Sequence, residues 1–522
     1  MAYPSWRRLG NVASVLLVIC SAGLLAGCSL PTLEGRSVSS VLLAADARET
    51  RLGQAIAPRV DAHPGKSGIY PLADPYDAFA ARMLLAQAAE RTLDVQYYIW
   101  HDDNSGRFLL DALHDAAERG VRVRLLLDDN GTAGLDTELA ALDSHPQIEV
   151  RLFNPFAVRS LKWIGFLTNF SRANRRMHNK SFTADAQATI VGGRNIGDEY
   201  FGAAEGVLFA DLDVLAVGPI VGDVGTDFDR YWASESAYPV EGILPAVGNH
   251  QLEKLTEGSL QPQAGSMGAV YLQAVRQSEF MSQLLDGALE LGWAKTRMVS
   301  DDPAKGQGAL EGEGLLTHQL GEILDDPVTE VVLVSPYFVP TASGVDAFAD
   351  LVARGVSVRV LTNSLNATDV TAVHAGYAKR RKDLLNAGIE LFEMRRMSPQ
   401  AERNESVGPF GSSASSLHAK TFSVDRDRIF VGSFNFDPRS ANLNTELGFV
   451  IDSPTMARQI SRAFDTSIPA NAYVVQLDDD GQLVWIEQRG DQLRRYDSEP
   501  HTGLLRRVGV LILSILPIEW LL

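Results

Sequence analysis

A chain of 522 residues, 45% hydrophobic and 21% charged with a net charge of −18, is too long for one core and apolar enough to fold as two or more lobes. That acidic balance disfavours a passive nucleic-acid binder, which needs a surplus of Lys and Arg against phosphates, and leaves room for a local basic site.

The first residues read as an export signal, with Arg7 and Arg8 before an apolar run over residues 12–25 that closes on Leu25-Ala26-Gly27-Cys28. That tetrapeptide resembles a bacterial lipobox. The resemblance implies cleavage before Cys28 and lipidation of its thiol, giving a signal peptide (1–27) and a membrane-anchored lipoprotein of the bacterial cell envelope facing the periplasm. Cys20 lies inside the signal, so the mature chain keeps one thiol and no disulfide. Residues 28–66 have no sustained period and read as a tether that packs only in part.

An internal repeat follows. Residues 93–100 read as a buried strand, 108–119 as a helix capped by Gly120, and 121–127 and 148–153 as further strands. The order returns in residues 331–338, in 345–354 with Gly355, and in 356–361 and 389–392. Strands alternating with helices predict an α/β fold of two pseudo-symmetric lobes, each a mixed, mostly parallel sheet flanked by helices, over residues 67–250 and 293–500. A connector over 251–292 looks helical around residues 269–289, and an apolar tail occupies 501–522.

Each repeat ends in the same constellation, which is His178, Lys180, Asp185, Gly192-Gly193 and Asn195 in the first and His418, Lys420, Asp425, Gly432-Ser433 and Asn435 in the second. In both, Lys lies two residues after His, Asp seven and Asn seventeen. Alternate side chains of a strand share a face, so each lobe presents an imidazole and an ammonium together. The small pairs let the backbone approach closely and bring the Asn amide to the same place. Two Lys and two Asn can neutralise a phosphodiester anion without a metal or cofactor. A histidine that attacks must be neutral, with its tautomer set by a carboxylate on the other ring nitrogen. Asp211 and Glu446, at matching positions after the two motifs, are the candidates. His101, His114, His145 and His374 show no metal-ligand spacing with Cys or Glu and read as surface or structural residues.

The duplicated pattern resembles the phospholipase D superfamily, whose signature H-x-K-x4-D-x6-G-[GS]-x-N is complete in both copies. The phrases running through Arg175, Arg176 and His178, from Gly192 to Phe201, and through Asp437-Pro438-Arg439-Ser440 narrow the likeness to the C-type cardiolipin synthases of Gram-negative bacteria. The likeness runs from about residue 69 to the C-terminus. It implies phospholipase D-like lobes with one active site at their interface. It also implies a phosphatidyl transferase in which one histidine attacks phosphorus while the other protonates the departing alcohol and deprotonates the incoming one. The implied substrates are phosphatidylethanolamine as donor and phosphatidylglycerol as acceptor, joined into cardiolipin. Asp185 and Asp425 enter the catalytic set as motif members, although in the family they look structural. The alternatives are a hydrolytic phospholipase D and, further off, a nuclease. Which histidine attacks, and whether an accessory protein takes part, stay open at this level.

Two segments fit a membrane surface. Between Arg159 and Arg176, the apolar Leu161, Trp163, Ile164, Phe166, Leu167 and Phe170 alternate with Lys162, Arg172, Arg175 and Arg176, which suits either an interface with anionic lipid or a lid packed on the protein. Residues 508–522, after Arg506 and Arg507, fall short of the roughly 20 apolar residues a span needs. They are expected either to lie in the interface or, the preferred reading, to pack on the second lobe.

Overall fold

Residues 30–202, 209–248, 251, 267–309, 312–324, 326–396, 416–490 and 492–522 are described by the computed structural model; the segment expected to be a signal peptide and Cys28 lie outside them. The first lobe carries β1 (Ser67–Leu72), β2 (Thr92–Ile99), β3 (Arg122–Gly131), β4 (Ile148–Phe153), β5 (Ser181–Ala184), β6 (Ala188–Gly192), β7 (Phe209–Ala210), β8 (Asp213–Val217), β9 (Ala237–Pro239) and β10 (Gly292–Ala294). Without β7 they form a nine-stranded sheet in the order β10-β1-β8-β6-β5-β2-β3-β4-β9. The second lobe carries β11 (Thr296–Ser300), β12 (Glu330–Val334), β13 (Ser357–Asn363), β14 (Glu390–Met394), β15 (Ser416–Leu417), β16 (Thr421–Val424), β17 (Arg428–Gly432), β18 (Leu447–Ile451), β19 (Ala472–Leu477), β20 (Leu483–Arg489) and β21 (Gln492–Tyr496). Without β15 these make a ten-stranded sheet in the order β11-β18-β17-β16-β12-β13-β14-β19-β20-β21.

Both sheets are mixed, and the mostly parallel arrangement expected from the sequence needs correction. Among the described strands of the two large sheets, β2-β3-β4 and β12-β13-β14 run parallel. Their other neighbours are antiparallel. The crossover helices Asn104–Glu118 and Asp136–Asp143 in the first lobe, and Thr341–Ala353 and Thr371–Asn386 in the second, connect the parallel pairs, whereas the motif strands β5-β6 and β16-β17 are joined by tight turns, which connect antiparallel neighbours. Gly120 and Gly355 end the first crossover helix of each lobe at φ 90°, the left-handed position expected of a helix cap.

The tight turns account for the motif aspartates. Asp185 and Ala186 both have positive φ, as do Asp425 and Arg426, the backbone of a type I′ turn. Asp tolerates that conformation better than most residues. Each carboxylate then gathers the amides that open a neighbouring strand. Asp185 accepts from the N–H groups of Glu90, Arg91 and Thr92 at 3.0, 2.8 and 2.9 Å. Asp425 accepts from those of Val328, Thr329 and Glu330 at 3.1, 2.7 and 3.0 Å.

The three largest apolar clusters among the described residues hold the lobes. One lies within the first lobe, one within the second, and one between the two sheets, where Val191, Leu212 and Val214 face Ile429, Val431, Leu447 and Phe449. The tether reading covers more structure than its lack of period suggests. Residues there form helices Ala44–Glu49 and Arg51–Asp61, which are short and mostly exposed, but Leu52 and Ile56 are buried in the first-lobe core. The connector supplies helices Met267–Gln277 and Phe280–Leu285, whose Tyr271, Phe280 and Leu284 join that same core. The tail forms helix Leu504–Ile515, whose Val510 and Leu513 pack on Leu365, Ala375 and Ala378 of the second lobe.

Candidate active site

His178 and His418 stand just ahead of β5 and β16, where the two lobes face each other. Backbone pairing across the interface fixes both. Met177 bridges Thr445, while β15 pairs in parallel with β7. As a result the His178 N–H donates to the Thr445 carbonyl and the His418 N–H to the Ala210 carbonyl, each at 2.8 Å. The next residue in each acceptor strand supplies a carboxylate. His178 Nδ1 lies 2.7 Å from Glu446 Oε2, and His418 Nδ1 lies 2.6 Å from Asp211 Oδ2. Each imidazole is therefore oriented by a carboxylate of the opposite lobe. The sequence identifies both acids but not this crossing.

The glycine pairs make room for the acids. A Cβ on Gly193 would lie 2.2 Å from Asp211 Oδ1, and one on Gly192 the same distance from Asp213 Oδ1. In the second motif Gly432 faces Gly448, and Ser433 donates its hydroxyl to Glu446. Gly193 and Ser433, equivalent by spacing, thus make different sites. The first admits a close carboxylate, and the second provides it with a further donor.

Lys180 Nζ donates to the His178 carbonyl at 2.5 Å, and Lys420 Nζ to the His418 carbonyl at 2.6 Å. Lys420 Nζ also lies 3.2 Å from His418 Nε2. Asn195 donates to the Tyr200 hydroxyl at 3.1 Å, while the buried Asn435 Oδ1 has no hydrogen-bond partner among the described residues. Tyr98 and Tyr200 stand edge-on to the imidazoles, with ring centroids 4.9 Å from His178 and 5.1 Å from His418. Neither tyrosine is singled out by the motif, although Tyr98 lies within the first predicted strand and Tyr200 in the phrase after Asn195. Asp185 and Asp425 belong to a different place. Their carboxylates are bound to strand-opening amides, so the catalytic place expected of them gives way to a structural one.

Burial sets the electrostatics. Together with Lys180, Lys420, His418 and Arg439, it holds the His178 imidazole well below the ordinary histidine range. Burial and Lys420 lower His418 as well, against the pull of Asp211. Burial brings Lys180 down to about 7, opposed by Glu446, and Lys420 down to about 8, opposed by Asp211. The acids diverge. Burial raises Glu446 to about 7, whereas its push on Asp211 is overcome by His418 and Lys420, leaving that acid at about 2. Lys420 and Arg194 add to the hold of His418 on Asp211. A site crowded with cations that lose protons readily is suited to an anion, whose arrival would return protons to the lysines.

His114 and His145, which sequence spacing left unconnected, meet at Glu118, with all three ligand atoms within 4.8 Å. His145 Nδ1 accepts from the Gln147 N–H at 3.1 Å, so its proton sits on Nε2, which faces Glu118 at 3.1 Å. That tautomer has no lone pair to offer a metal from Nε2. His374 lies between Glu499 and Arg381, at 3.2 and 3.0 Å.

A family model described as cardiolipin synthase, PLD-like domain, matches residues 83–232 and 320–468. Cardiolipin synthase C of Escherichia coli is 51% identical over 472 residues, covering 90% of this chain and 100% of that protein. The crystal structure of phosphatidylserine synthase of Haemophilus influenzae superposes with a TM-score of 0.57 at 14% identity, covering 91% of this chain and 100% of that one, a likeness of fold.

Proposed function

The chain belongs to the cardiolipin synthase, phospholipase D-like family, and on that premise we propose that it joins two phospholipids into cardiolipin by phosphatidyl transfer through a phosphohistidine. The observation that supports this reading is the reciprocal pairing of His178 with Glu446 and His418 with Asp211, which brings two oriented imidazoles and two lysines into one buried site.

The ionised Asp211 stabilises an imidazolium on His418, which makes His418 the proton carrier and the neutral His178 the nucleophile. His178 Nε2 attacks phosphorus. The P–N bond forms as the bond to the head-group oxygen breaks, and His418 gives its proton to that oxygen. His418, now neutral, takes the proton of an incoming primary hydroxyl, whose oxygen attacks phosphorus and releases His178. Lys180, Lys420, Asn195 and Asn435 hold the non-bridging oxygens throughout. The donor is phosphatidylethanolamine and the acceptor phosphatidylglycerol. Lipidation at Cys28 holds the enzyme at the envelope membrane, facing the periplasm.

Hydrolysis shares the first half-reaction and differs in the second, where water meets the phosphohistidine. Lipid analysis of cells lacking cardiolipin tests the reading. Expression of this chain should restore cardiolipin, and expression of the His178→Ala or His418→Ala variant should not. Unchanged lipids with wild-type protein present at the membrane would refute it.

A further inference from the structure

Two apolar surfaces of this molecule are uncovered, and they meet. The C-terminal helix is clamped to the second lobe by Val510 and Leu513, and beyond it Glu519 pairs with Lys379 and Arg380 at 3.4 and 3.0 Å. Its other face presents Leu504, Val508, Leu511, Ile512 and Ile515 outward, a stripe at helical spacing that is exposed along its whole length. The segment ahead of His178 behaves alike. Trp163 is 59% exposed and Leu167 75% exposed on helix Trp163–Thr168, with the exposed Phe170 beyond it. Phe170 meets Trp520 with ring centroids 6.5 Å apart, joining the two surfaces.

This junction lies at the active site. The Arg439 N–H donates to the Leu522 carbonyl at 2.8 Å, and Arg439 Nη1 donates to Asn174 Oδ1 at 2.9 Å, four residues ahead of His178. The charge of Arg439 is among those acting on His178.

We propose that the stripe of the C-terminal helix and the segment from Trp163 to Phe170 together form a docking face for an anionic bilayer, laying the site against the membrane so that phospholipids enter from its plane. The proposal rests on the transferase reading only for the identity of what enters. A 12-residue helix is about 18 Å long, against about 30 Å of hydrocarbon, so the tail lies in the interface. Among the described residues no helix is long and apolar enough to cross a membrane. A chain of net charge −18 is repelled by anionic lipid unless the contacting face is locally basic. Here the partly exposed Arg172, Arg175 and Arg506 donate to the carbonyls of Pro155, Ser171 and Thr368, at 2.5, 3.1 and 3.1 Å, rather than to carboxylates. The same arginines disfavour a second copy of the chain as occupant, because a two-fold contact would set like charges against each other.

The test places an environment-sensitive fluorescent amino acid at Ile512, or separately at Leu167, in the full chain, mixed with phosphatidylcholine vesicles with or without phosphatidylglycerol. The probe reports immersion whether or not Cys28 also carries lipid. Both positions should shift to the blue and be quenched by brominated acyl chains, more strongly with phosphatidylglycerol present. Adding Leu511→Ser, Ile512→Ser and Ile515→Ser should abolish the shift at Leu167 and cut turnover of vesicle lipid at least tenfold, with turnover of a monomeric short-chain phospholipid unchanged. Probes that stay in water on vesicles, or that shift only through dimerisation in solution, would overturn the docking face. Immersed probes on a wild-type protein that turns over neither lipid form would leave the docking face standing and refute the transferase reading instead.

Discussion

His178 Nδ1 meets Glu446 Oε2 at 2.7 Å across the lobe interface, and the pseudo-symmetric contact joins His418 to Asp211 at 2.6 Å. Neither lobe orients its own histidine, so the two can act only together. Asp211→Asn should lower kcat by about 10²- to 10⁴-fold, with thermal unfolding little changed. Glu446→Gln should leave a different signature. With Glu446 at about 7, wild-type kcat/KM falls as pH drops through that value, and the Gln variant should lack this dependence. A variant profile that retains the same acid limb would place the titration elsewhere.

The unequal acids assign the histidines. With a substrate carrying a good leaving group, such as a phosphatidyl nitrophenol, His418→Ala should form a phosphoenzyme on His178 and release it slowly, while His178→Ala should form none. Mass spectrometry of the quenched enzyme reads the site of modification. Label on His418 would reverse the roles.

Lys180 and Lys420, brought to about 7 and 8 by burial, tie activity and stability to pH in opposite directions. In the free enzyme both lose protons as pH rises through those values, so kcat/KM should fall there, because the anion loses its counter-charges. Stability behaves otherwise. The unfolded chain keeps each proton to about 10.4, so the cost of a buried ammonium is full below about pH 7 and relieved at higher pH. Lys180→Met should therefore be inactive yet unfold at a higher temperature than wild type at pH 6.5, with the gain shrinking by pH 9. A gain independent of pH would mean that packing, rather than the charge, is responsible. Neither effect should respond to a chelator.

Asp185 and Asp425 should act on stability alone. Asp185→Ala removes the acceptor of three amides at a positive-φ turn; the bond to Thr92 is buried, and orphaning that donor costs about 1–3 kcal/mol, while the amides of the exposed Glu90 and Arg91 can turn to water. Thermal unfolding should drop by several degrees, with kcat near wild type well below the transition. A large loss of kcat in the folded variant would return Asp185 to the reaction.

Much of this was legible in the sequence because the repeat fixes spacing. Gly120 and Gly355 as caps and Asp211 and Glu446 as acids follow from position along the chain, whereas His178 and Lys180, expected on a strand, stand just ahead of β5. What pairs across lobes does not. Asp211 lies far nearer His178 in sequence than His418, 207 residues on, yet the backbone pairing through Thr445 and Ala210 gives it to His418. The antiparallel share of each sheet was hidden for a related reason, since buried strands read alike whichever way their neighbours run. Tyr98 and Tyr200 were masked by their context, because an aromatic residue at the end of a strand more often fills a core than faces an imidazole.

Whether alcohol or water meets the phosphohistidine is the central question, because positioning alone separates the two outcomes. A held alcohol can reach effective molarities of about 10⁵ M, well above bulk water. The direct measurement gives purified enzyme labelled phosphatidylethanolamine in vesicles with and without phosphatidylglycerol, and counts cardiolipin against phosphatidic acid. Cardiolipin should dominate when phosphatidylglycerol is abundant and vanish from the His178→Ala enzyme. Phosphatidic acid as the main product under those conditions would contradict transfer and make the enzyme a hydrolase.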